Sequence, residues 1–222
     1  PNERWALIPN GYDEEVFASV SPLEQTPAQQ REQITLLHSG VLYPTPDRDP
    51  RPFFRAVACL RQDGNVSART LKIILRASGS EHLYREAVVA QGIEDIVCLE
   101  PPISYRAALS EMLRVDGLMI FQGHDSNPAV PAKLYEYIRA RRPIFAMVDS
   151  QGDTAAILRE TGVGTIVPLD SEERIAIGLM MFLEQIRNGT ASVAEDEHII
   201  LHSRESRTKE LAALFDSVAT GG

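Results

Sequence analysis

The sequence is poor in features that define several large classes of protein. It has only two cysteines, Cys59 and Cys98, which lie far apart in apolar contexts, so we expect two buried reduced thiols and no disulfide. No apolar run reaches the roughly 18 residues that a transmembrane helix needs. We therefore expect a protein without a membrane span that is located in the cytoplasm.

The chain also lacks an excess of positive charge and two common nucleotide-binding motifs. Its net charge of −9 leaves no basic stripe with which a general nucleic-acid binder would neutralise phosphates. Neither Gly-x-Gly-x-x-Gly nor Gly-Lys-Ser/Thr occurs, which argues against a dinucleotide dehydrogenase and a P-loop nucleotidase. His198 and His202 have the spacing of a helical metal pair, but no third ligand is evident. We assign both histidines to the surface and expect no metal site.

What the sequence does contain is a regular alternation of strand-length apolar runs and amphipathic helices. With 44% hydrophobic residues, the chain can bury a substantial core. The alternation predicts an α/β fold with a doubly wound parallel sheet that has helices on both faces. The predicted strands are 34–39, 71–76, 95–99, 117–121, 143–148 and 164–168, and the predicted helices are 50–62, 81–91, 104–115, 129–142, 152–161 and 171–187.

The two ends of the chain depart from this alternation. Residues 5–8 form a strand-like piece followed by a turn, and residues 20–33 have the composition of a surface loop. Near the C-terminus a polar link leads to an amphipathic helix over 203–218. We predict a single domain with a connecting segment and loop over 1–33, a Rossmann-like core over 34–188 and a C-terminal helix within 189–222.

The loops that follow the strands carry the candidate site residues, because open parallel sheets bind ligands beyond the carboxyl ends of their strands. Gly40 lets a phosphate approach the backbone, and Arg48 or Arg51 is placed to pair with a diphosphate. The alternative is a tight turn with solvated arginines. Gly79 lies in a small-residue loop before a helix whose N-terminus favours an anion. Ile103 lies in a proline-rich edge that can hold a planar base, or is simply part of a rigid connector.

The loop over 122–128 is the richest in polar groups, and it leads into the helix that carries Lys133 and Glu136. A carboxylate can accept hydrogen bonds from two vicinal hydroxyls, so Glu136 is the candidate ribose ligand, while the ammonium of Lys133 suits a phosphate. The alternatives are a solvated Glu that pairs with Arg139 and an ordinary surface lysine. The loop itself offers three candidate ligands, Gln122, His124 and Asp125.

Together these segments resemble the C-terminal, donor-binding half of a glycosyltransferase of the two-domain GT-B fold, in the large retaining group called family 4 (glycosyl transferases group 1). Residues 8–13, Ile-Pro-Asn-Gly-Tyr-Asp, look like the segment that crosses from the first domain of the family. Residues 38–40, His-Ser-Gly, with Arg48 look like its first loop and phosphate-contacting Arg. Residues 131–137, Pro-Ala-Lys-Leu-Tyr-Glu-Tyr, before 142–144, Arg-Pro-Ile, are similar to its Pro-x-Lys-x-x-Glu-Tyr motif, whose Glu holds the donor ribose.

One position departs from the family pattern. Many members place a second Glu eight positions before the ribose-binding one, where it touches the transferred sugar, and this chain has Pro128 there. The resemblance then implies that the sugar is contacted by Gln122, His124, Asp125 or backbone amides.

The resemblance also implies a function. We expect the domain to bind a UDP- or GDP-linked sugar as substrate, with no cofactor, for retaining, metal-independent hexosyl transfer in polysaccharide or glycoconjugate synthesis. Arg48 and Lys133 are the expected catalytic cations, aided by a helix N-terminus near Pro128, because the departing diphosphate needs charge stabilisation. The saccharide or lipid-linked acceptor would bind an N-terminal domain that this chain does not show. We therefore expect the isolated domain to be inactive, and any peripheral membrane contact to run through the missing domain.

Two other functions remain open on the same fold. One is half of a nucleotide-sugar epimerase, which would need acid and base residues from a first domain. The other is a non-catalytic nucleotide-sugar-binding or regulatory domain, which the absence of the second Glu keeps open. A phosphoreceiver domain is disfavoured, because no acidic pair follows the first strand and no Asp ends the third.

Overall fold

The computed structural model describes residues 5–20 and 28–220, in which strands and helices alternate as predicted. The strands are β1 (Ile34–Ser39), β2 (Leu71–Arg76), β3 (Val97–Glu100), β4 (Gly117–Gln122), β5 (Ile144–Val148) and β6 (Thr165–Val167). The helices are α1 (Glu14–Ala18), α2 (Arg51–Gln62), α3 (Glu81–Ala90), α4 (Tyr105–Met112), α5 (Lys133–Arg139), α6 (Asp153–Glu160), α7 (Glu172–Asn188), α8 (Asp196–Leu201) and α9 (Arg204–Thr220). Single 3-10 turns, Ala28–Gln30 and His124–Ser126, precede β1 and α5.

All six strands form one parallel sheet in the order β3-β2-β1-β4-β5-β6. β1 pairs with β2 on one side and with β4 on the other, so the order of the strands reverses between β1 and β4. This reversal is the topological switch point of a doubly wound sheet, where the loops on either side diverge and leave a crevice at the carboxyl edge. The predicted fold class is confirmed.

Helices cover both faces of the sheet and produce two apolar layers. One layer lies under α2, α3 and α7 and includes Phe53, Tyr84 and Phe182. The other lies under α4, α5 and α6 and includes Leu109, Tyr137 and Leu158. Every residue of β4 and β5 is buried, as expected for parallel strands covered on both sides.

The helix predicted over 129–142 is shorter than expected. α5 begins only at Lys133, after a loop that contains Pro128 and Pro131, so the expectation of a helix N-terminus near Pro128 is wrong. At the other end Arg141 has a left-handed φ of 53°, and Pro143 follows, so the helix cannot continue.

The N-terminal segment pairs with the rest of the chain at a position that was not predicted. Residues 5–8 lie outside any strand, and the pairing begins instead at Tyr12, which forms an isolated parallel bridge with Ser203. The Tyr12 amide donates to the His202 carbonyl over 3.1 Å, and the Arg204 amide donates to the Tyr12 carbonyl over 2.8 Å. Backbone hydrogen bonds therefore join this segment to the start of α9. The short helices α1 and α8 were not predicted.

Several predictions for the chain ends fall partly outside the described residues, which exclude 1–4, 21–27 and 221–222. This applies to the surface loop predicted over 20–33 and to the two ends of the predicted single domain, 1–33 and 189–222. α9 corresponds to the predicted C-terminal helix, and Leu211 and Phe215 on it are exposed. Across the described ranges, no helix is both long and apolar enough to cross a membrane.

Two burial predictions need correction. Cys59 is exposed and Cys98 is only partly buried, and both thiols are free. His202, assigned to the surface, is 7% exposed and packs against Tyr135, with ring centroids 5.3 Å apart. It is buried because the end of α8 turns inward onto α5.

Candidate functional site

The predicted phosphate ligands meet at the switch point between β1 and β4. Lys133, the first residue of α5, places Nζ 3.1 Å from Nε2 of His38 in β1. Gly40 lies beside the same ammonium, since a Cβ built on Gly40 would be 2.8 Å from Nζ. Its φ of 113° is also one that residues with a side chain rarely adopt. Gly40 therefore permits both the loop conformation and the close approach of Lys133.

Arg48 adds a second positive charge to this place. Its guanidinium carbon lies 5.3 Å from the centroid of the Tyr43 ring, and its Nε is 3.5 Å from a carboxylate oxygen of Asp47. Burial and the charge of Arg48 together lower the pKa of Lys133 to about 8. Two positive charges that repel each other in a partly buried environment favour a bound anion between them.

Arg51, the alternative diphosphate ligand, has a different partner. Its Nε donates to both carboxylate oxygens of Asp49, over 2.9 and 2.8 Å, and this contact raises the pKa of Arg51. Arg48 also lies beside a carboxylate, but its charge acts on Lys133, so the structure favours Arg48 over Arg51 as the cation that accompanies Lys133.

Glu136 and the predicted base-binding edge are brought together through a residue that sequence reasoning missed. The phenol of Tyr105, the first residue of α4, donates to Oε1 of Glu136 over 2.7 Å. Ile103, two residues earlier, is 41% exposed. The alternative partner of Glu136, Arg139, donates instead to Glu14, with Nη2 2.6 Å from Oε1. The carboxylate of Glu136 therefore faces the start of α4 rather than its own helix.

The side chain of Gln122 is hydrogen-bonded to the loop that follows β4. Its side chain is buried, and Nε2 donates to the carbonyls of Ser126 over 2.6 Å and Ala129 over 2.9 Å. Its Oε1 accepts from the hydroxyl of Thr154 over 2.5 Å. With both ends of the amide bonded to the protein, Gln122 holds the loop in shape in this structure.

Asp47 links the two loops on either side of the switch point, and sequence reasoning missed it. The amide of Ser126 donates to its Oδ1 over 3.1 Å, and the amide of Gly123 donates to its backbone carbonyl over 2.5 Å. A Cβ on Gly123 would lie 2.9 Å from the Asp47 Cα, so the two backbones touch. The only sequence signal was a carboxylate beside Arg48 in the loop after the first strand.

His124 and Asp125 face another part of the carboxyl edge. Nδ1 of His124 lies 2.6 Å from Oδ2 of Asp149, and the side-chain Nδ2 of Asn127 donates to the same oxygen over 2.7 Å. These bonds and the Gln151 amide hold the pKa of Asp149 well below its usual range, and Asp149 raises the pKa of His124.

A cavity of about 620 Å³ opens beside this pair at the ends of β4, β5 and β6. His124 and Asp125 line it, whereas Gly40, Lys133 and Glu136 do not. The candidate ligands therefore fall into two neighbouring groups. Although carboxylates line the cavity, no three His, Cys, Asp or Glu side chains of the described residues are arranged to hold a metal ion.

Gly79 serves the turn after β2. Its φ is 87°, and its amide donates to the Glu81 carboxylate over 3.0 Å, which lowers the pKa of Glu81. The anion that the sequence predicted for this helix N-terminus is thus present as a side chain of the helix itself. A Cβ on Gly79 would also lie 3.2 Å from Val41.

The chain is similar in fold to several solved glycosyltransferases. Sucrose-phosphate synthase from Thermosynechococcus elongatus matches with a TM-score of 0.64 and 14% identity, over 98% of this chain and 53% of that chain. WaaG, a glycosyltransferase involved in lipopolysaccharide biosynthesis, matches with a TM-score of 0.62 and 17% identity, over 100% and 58%. Anabaena HepE, solved in complex with UDP and glucose, matches with a TM-score of 0.66 and 16% identity, over 95% and 56%.

These likenesses concern the fold. No protein-family model matches the chain, and no curated protein matches its sequence. The chain spans between 53% and 58% of the length of these three structures. It therefore has the fold of a Rossmann-like half of a GT-B glycosyltransferase, and the predicted resemblance is confirmed at that level.

Proposed function

We propose that the chain is the donor-binding half of a glycosyltransferase and that it binds a nucleotide-diphosphate sugar. The observation that carries this proposal is the placement of Lys133 beside Gly40 at the switch point of the sheet, with Arg48 close by. Doubly wound sheets bind ligands at this position, and an anion is the ligand that two opposed cations favour.

The geometry suggests how the parts of the donor would be divided among the residues. The diphosphate would lie against Lys133 and Arg48 over Gly40. Glu136 lies three residues, or about 4.5 Å of helix rise, beyond Lys133, which suits a ribose next to the diphosphate. The base would then lie against the exposed side chain of Ile103.

The same cations suit the chemistry of transfer. When the bond between the anomeric carbon and the diphosphate oxygen breaks, the departing diphosphate gains negative charge. Lys133 and Arg48 would stabilise that charge electrostatically from fixed positions, which lowers the barrier without a proton transfer. Because the chain supplies these two charges, we propose that the step does not require a metal. From the resemblance we also propose that the transfer retains the configuration at the anomeric carbon.

The transferred sugar would lie toward the cavity beside His124 and Asp125. The amide of Gln122 is hydrogen-bonded to other protein groups, which supports a role in shaping this subsite rather than in contacting the sugar. The complex of HepE with UDP and glucose supports a UDP-linked donor among the candidates. We propose a saccharide or lipid-linked acceptor, held by a second domain of the full protein.

Calorimetric titration with UDP, GDP and ADP at moderate salt tests the proposal. We expect selective binding of one diphosphate, lost in Glu136→Ala and retained in Glu205→Ala, which changes an exposed Glu of α9. Binding of none of the three to the folded chain, or equal binding to Glu136→Ala, would contradict the proposal.

One observation favours a second candidate, a nucleotide-sugar-binding domain without transfer activity. Pro128 stands where many members of the family that the sequence resembles have the sugar-contacting Glu, and the side chain of Gln122 is bonded to other protein groups. Release of nucleotide diphosphate from a nucleotide sugar by the full-length protein with acceptor, above a Lys133→Met control, would exclude this candidate.

A further inference from the structure

His38 is a buried polar residue at the candidate site to which the proposed function gives no role. It is the fifth residue of β1 and is 2% exposed. Its ring packs edge-on against Phe121 of β4, with centroids 5.1 Å apart and an interplanar angle of 85°. The imidazole is therefore fixed between the two central strands of the sheet, at the switch point.

The hydrogen bonds of His38 determine its tautomer. Nδ1 lies 2.8 Å from the backbone oxygen of Met119, and a carbonyl oxygen only accepts, so Nδ1 carries the hydrogen. Nε2 then has a free lone pair, and it lies 3.1 Å from Nζ of Lys133, which only donates. Burial, reinforced by the charge of Lys133, lowers the pKa of His38 well below its usual value, so the ring stays neutral.

The charged groups around Lys133 explain why such an acceptor matters. Burial and Arg48, on the loop after β1, oppose the charge of the ammonium, while Glu136 on the same helix favours it. A hydrogen bond from the ammonium to a neutral imidazole favours the charged form and fixes its direction. The side chain of lysine is otherwise long and flexible, with several rotatable bonds to hold in place.

We propose that His38 is a positioning residue whose Nε2 holds the ammonium of Lys133 over Gly40, in the orientation in which it receives the donor diphosphate. This rests on the proposed function, because it assigns His38 a task within that same site. His38 does not face the diphosphate and acts only through Lys133.

Two variants and a control separate this role from simple packing. His38→Phe keeps a ring against Phe121 but removes both nitrogens, whereas His38→Gln offers an amide oxygen in place of Nε2. The control, His82→Gln, changes an exposed histidine of α3. The chain has three lysines, Lys72, Lys133 and Lys209, so labelled lysine gives three side-chain signals whose titration can be followed by NMR.

We expect the Lys133 signal to titrate near pH 8 in the wild type and at lower pH in His38→Phe, because the buried ammonium loses its acceptor. Affinity for the diphosphate that binds best among UDP, GDP and ADP should fall about tenfold at neutral pH in His38→Phe, as expected for loss of one hydrogen bond to a charged group. His38→Gln should recover part of both properties. The decline of affinity with rising pH should begin at lower pH in His38→Phe than in the wild type.

An unchanged Lys133 titration and unchanged affinity in a folded His38→Phe chain would overturn the inference while the proposed function stands. If His38→Phe unfolds, His38→Leu, which also lacks an acceptor, takes its place: a Lys133 titration shifted to lower pH together with weaker binding supports the inference, and wild-type values for both overturn it. If the wild type binds none of the three diphosphates, the proposed function fails, and the Lys133 titration alone decides whether His38 holds the ammonium.

Discussion

The phenol of Tyr105 donates a 2.7 Å hydrogen bond to Oε1 of Glu136, so the first residue of α4 orients a carboxylate on α5, the helix after β4. Burial and the neighbouring carboxylate both raise the pKa of Tyr105, which therefore remains a protonated donor at physiological pH. The contact spans the switch point and gives the candidate ribose ligand one defined direction. Glu136 is thus preorganised by a residue that the motif around it does not contain.

Tyr105→Phe should weaken binding of the preferred nucleoside diphosphate by roughly threefold to tenfold, because a hydrogen bond of this kind contributes about 0.5–1.5 kcal/mol. Glu136→Ala should cost more. Calorimetry on a double-mutant cycle checks the mechanism, since Tyr105→Phe should have no further effect once Glu136 is Ala. An equal loss in both backgrounds would show that Tyr105 contacts the ligand independently.

Gly40→Ala and Gly64→Ala form a matched pair at positive φ. Both glycines have backbone conformations that strain an alanine, with φ of 113° and 76°. A Cβ on Gly40 would press on Nζ of Lys133 at 2.8 Å, whereas a Cβ on Gly64 would meet nothing within 4 Å. We expect each change to lower the free energy of unfolding by about 1–2 kcal/mol in urea titrations, since that is the cost of a left-handed alanine.

Only Gly40→Ala should also weaken diphosphate binding, by about fivefold or more, since it displaces the ammonium from its place over the loop. Gly64 lies at the end of α2 and should leave affinity unchanged. Equal affinities in the two variants would mean that Lys133 adjusts without cost and that the space above Gly40 is not used.

The sequence predicted the frame of the site because the frame depends on local periodicity. β1 and β2 have the predicted bounds, and the short motif around Glu136 lies on α5 as expected. Tyr105 and Asp47 were missed because their partners are remote: Glu136 is 31 positions from Tyr105, and Ser126 is 79 positions from Asp47. No local pattern encodes such pairs.

The two wrong burial predictions have separate causes. Cys59 has apolar neighbours in sequence, but it lies two residues, or about 200° of helix rotation, from the buried Val57, so it points outward. This could have been seen from helical periodicity. The burial of His202 follows from the packing of α8 on α5, which brings it against Tyr135 and which no local pattern indicates.

Gln122→Leu should destabilise the protein, because leucine is similar in size but lacks the amide. That amide bonds the carbonyls of Ser126 and Ala129 and the hydroxyl of Thr154. Leaving these partners without a bond should cost about 2–4 kcal/mol in the free energy of unfolding. Urea denaturation compares this variant with Gln62→Leu, at an exposed position of α2. Equal, small changes in both variants would mean that the loop after β4 does not depend on Gln122.

The pair of His124 and Asp149 should make stability depend on pH in a defined direction. Asp149 raises the pKa of His124 above 6.5, so the contribution of the charged His124 is fully present below that pH and is lost as the pH rises through the raised value. The pKa of Asp149 is lowered, so its own contribution is present above 3.8 and is lost only in stronger acid.

His124→Gln should therefore lower the free energy of unfolding at about pH 5.5, with a difference from the wild type that shrinks toward about pH 9. The effect should be small, because the imidazole is 82% exposed and its charge is screened by solvent. Urea denaturation at both pH values measures it, and His82→Gln, at an exposed position of α3, provides the control. A difference of the same size at both pH values would mean that His124 contributes through neutral hydrogen bonding. The charges of His124 and Asp149 would then have no part in joining the loop after β4 to the loop after β5.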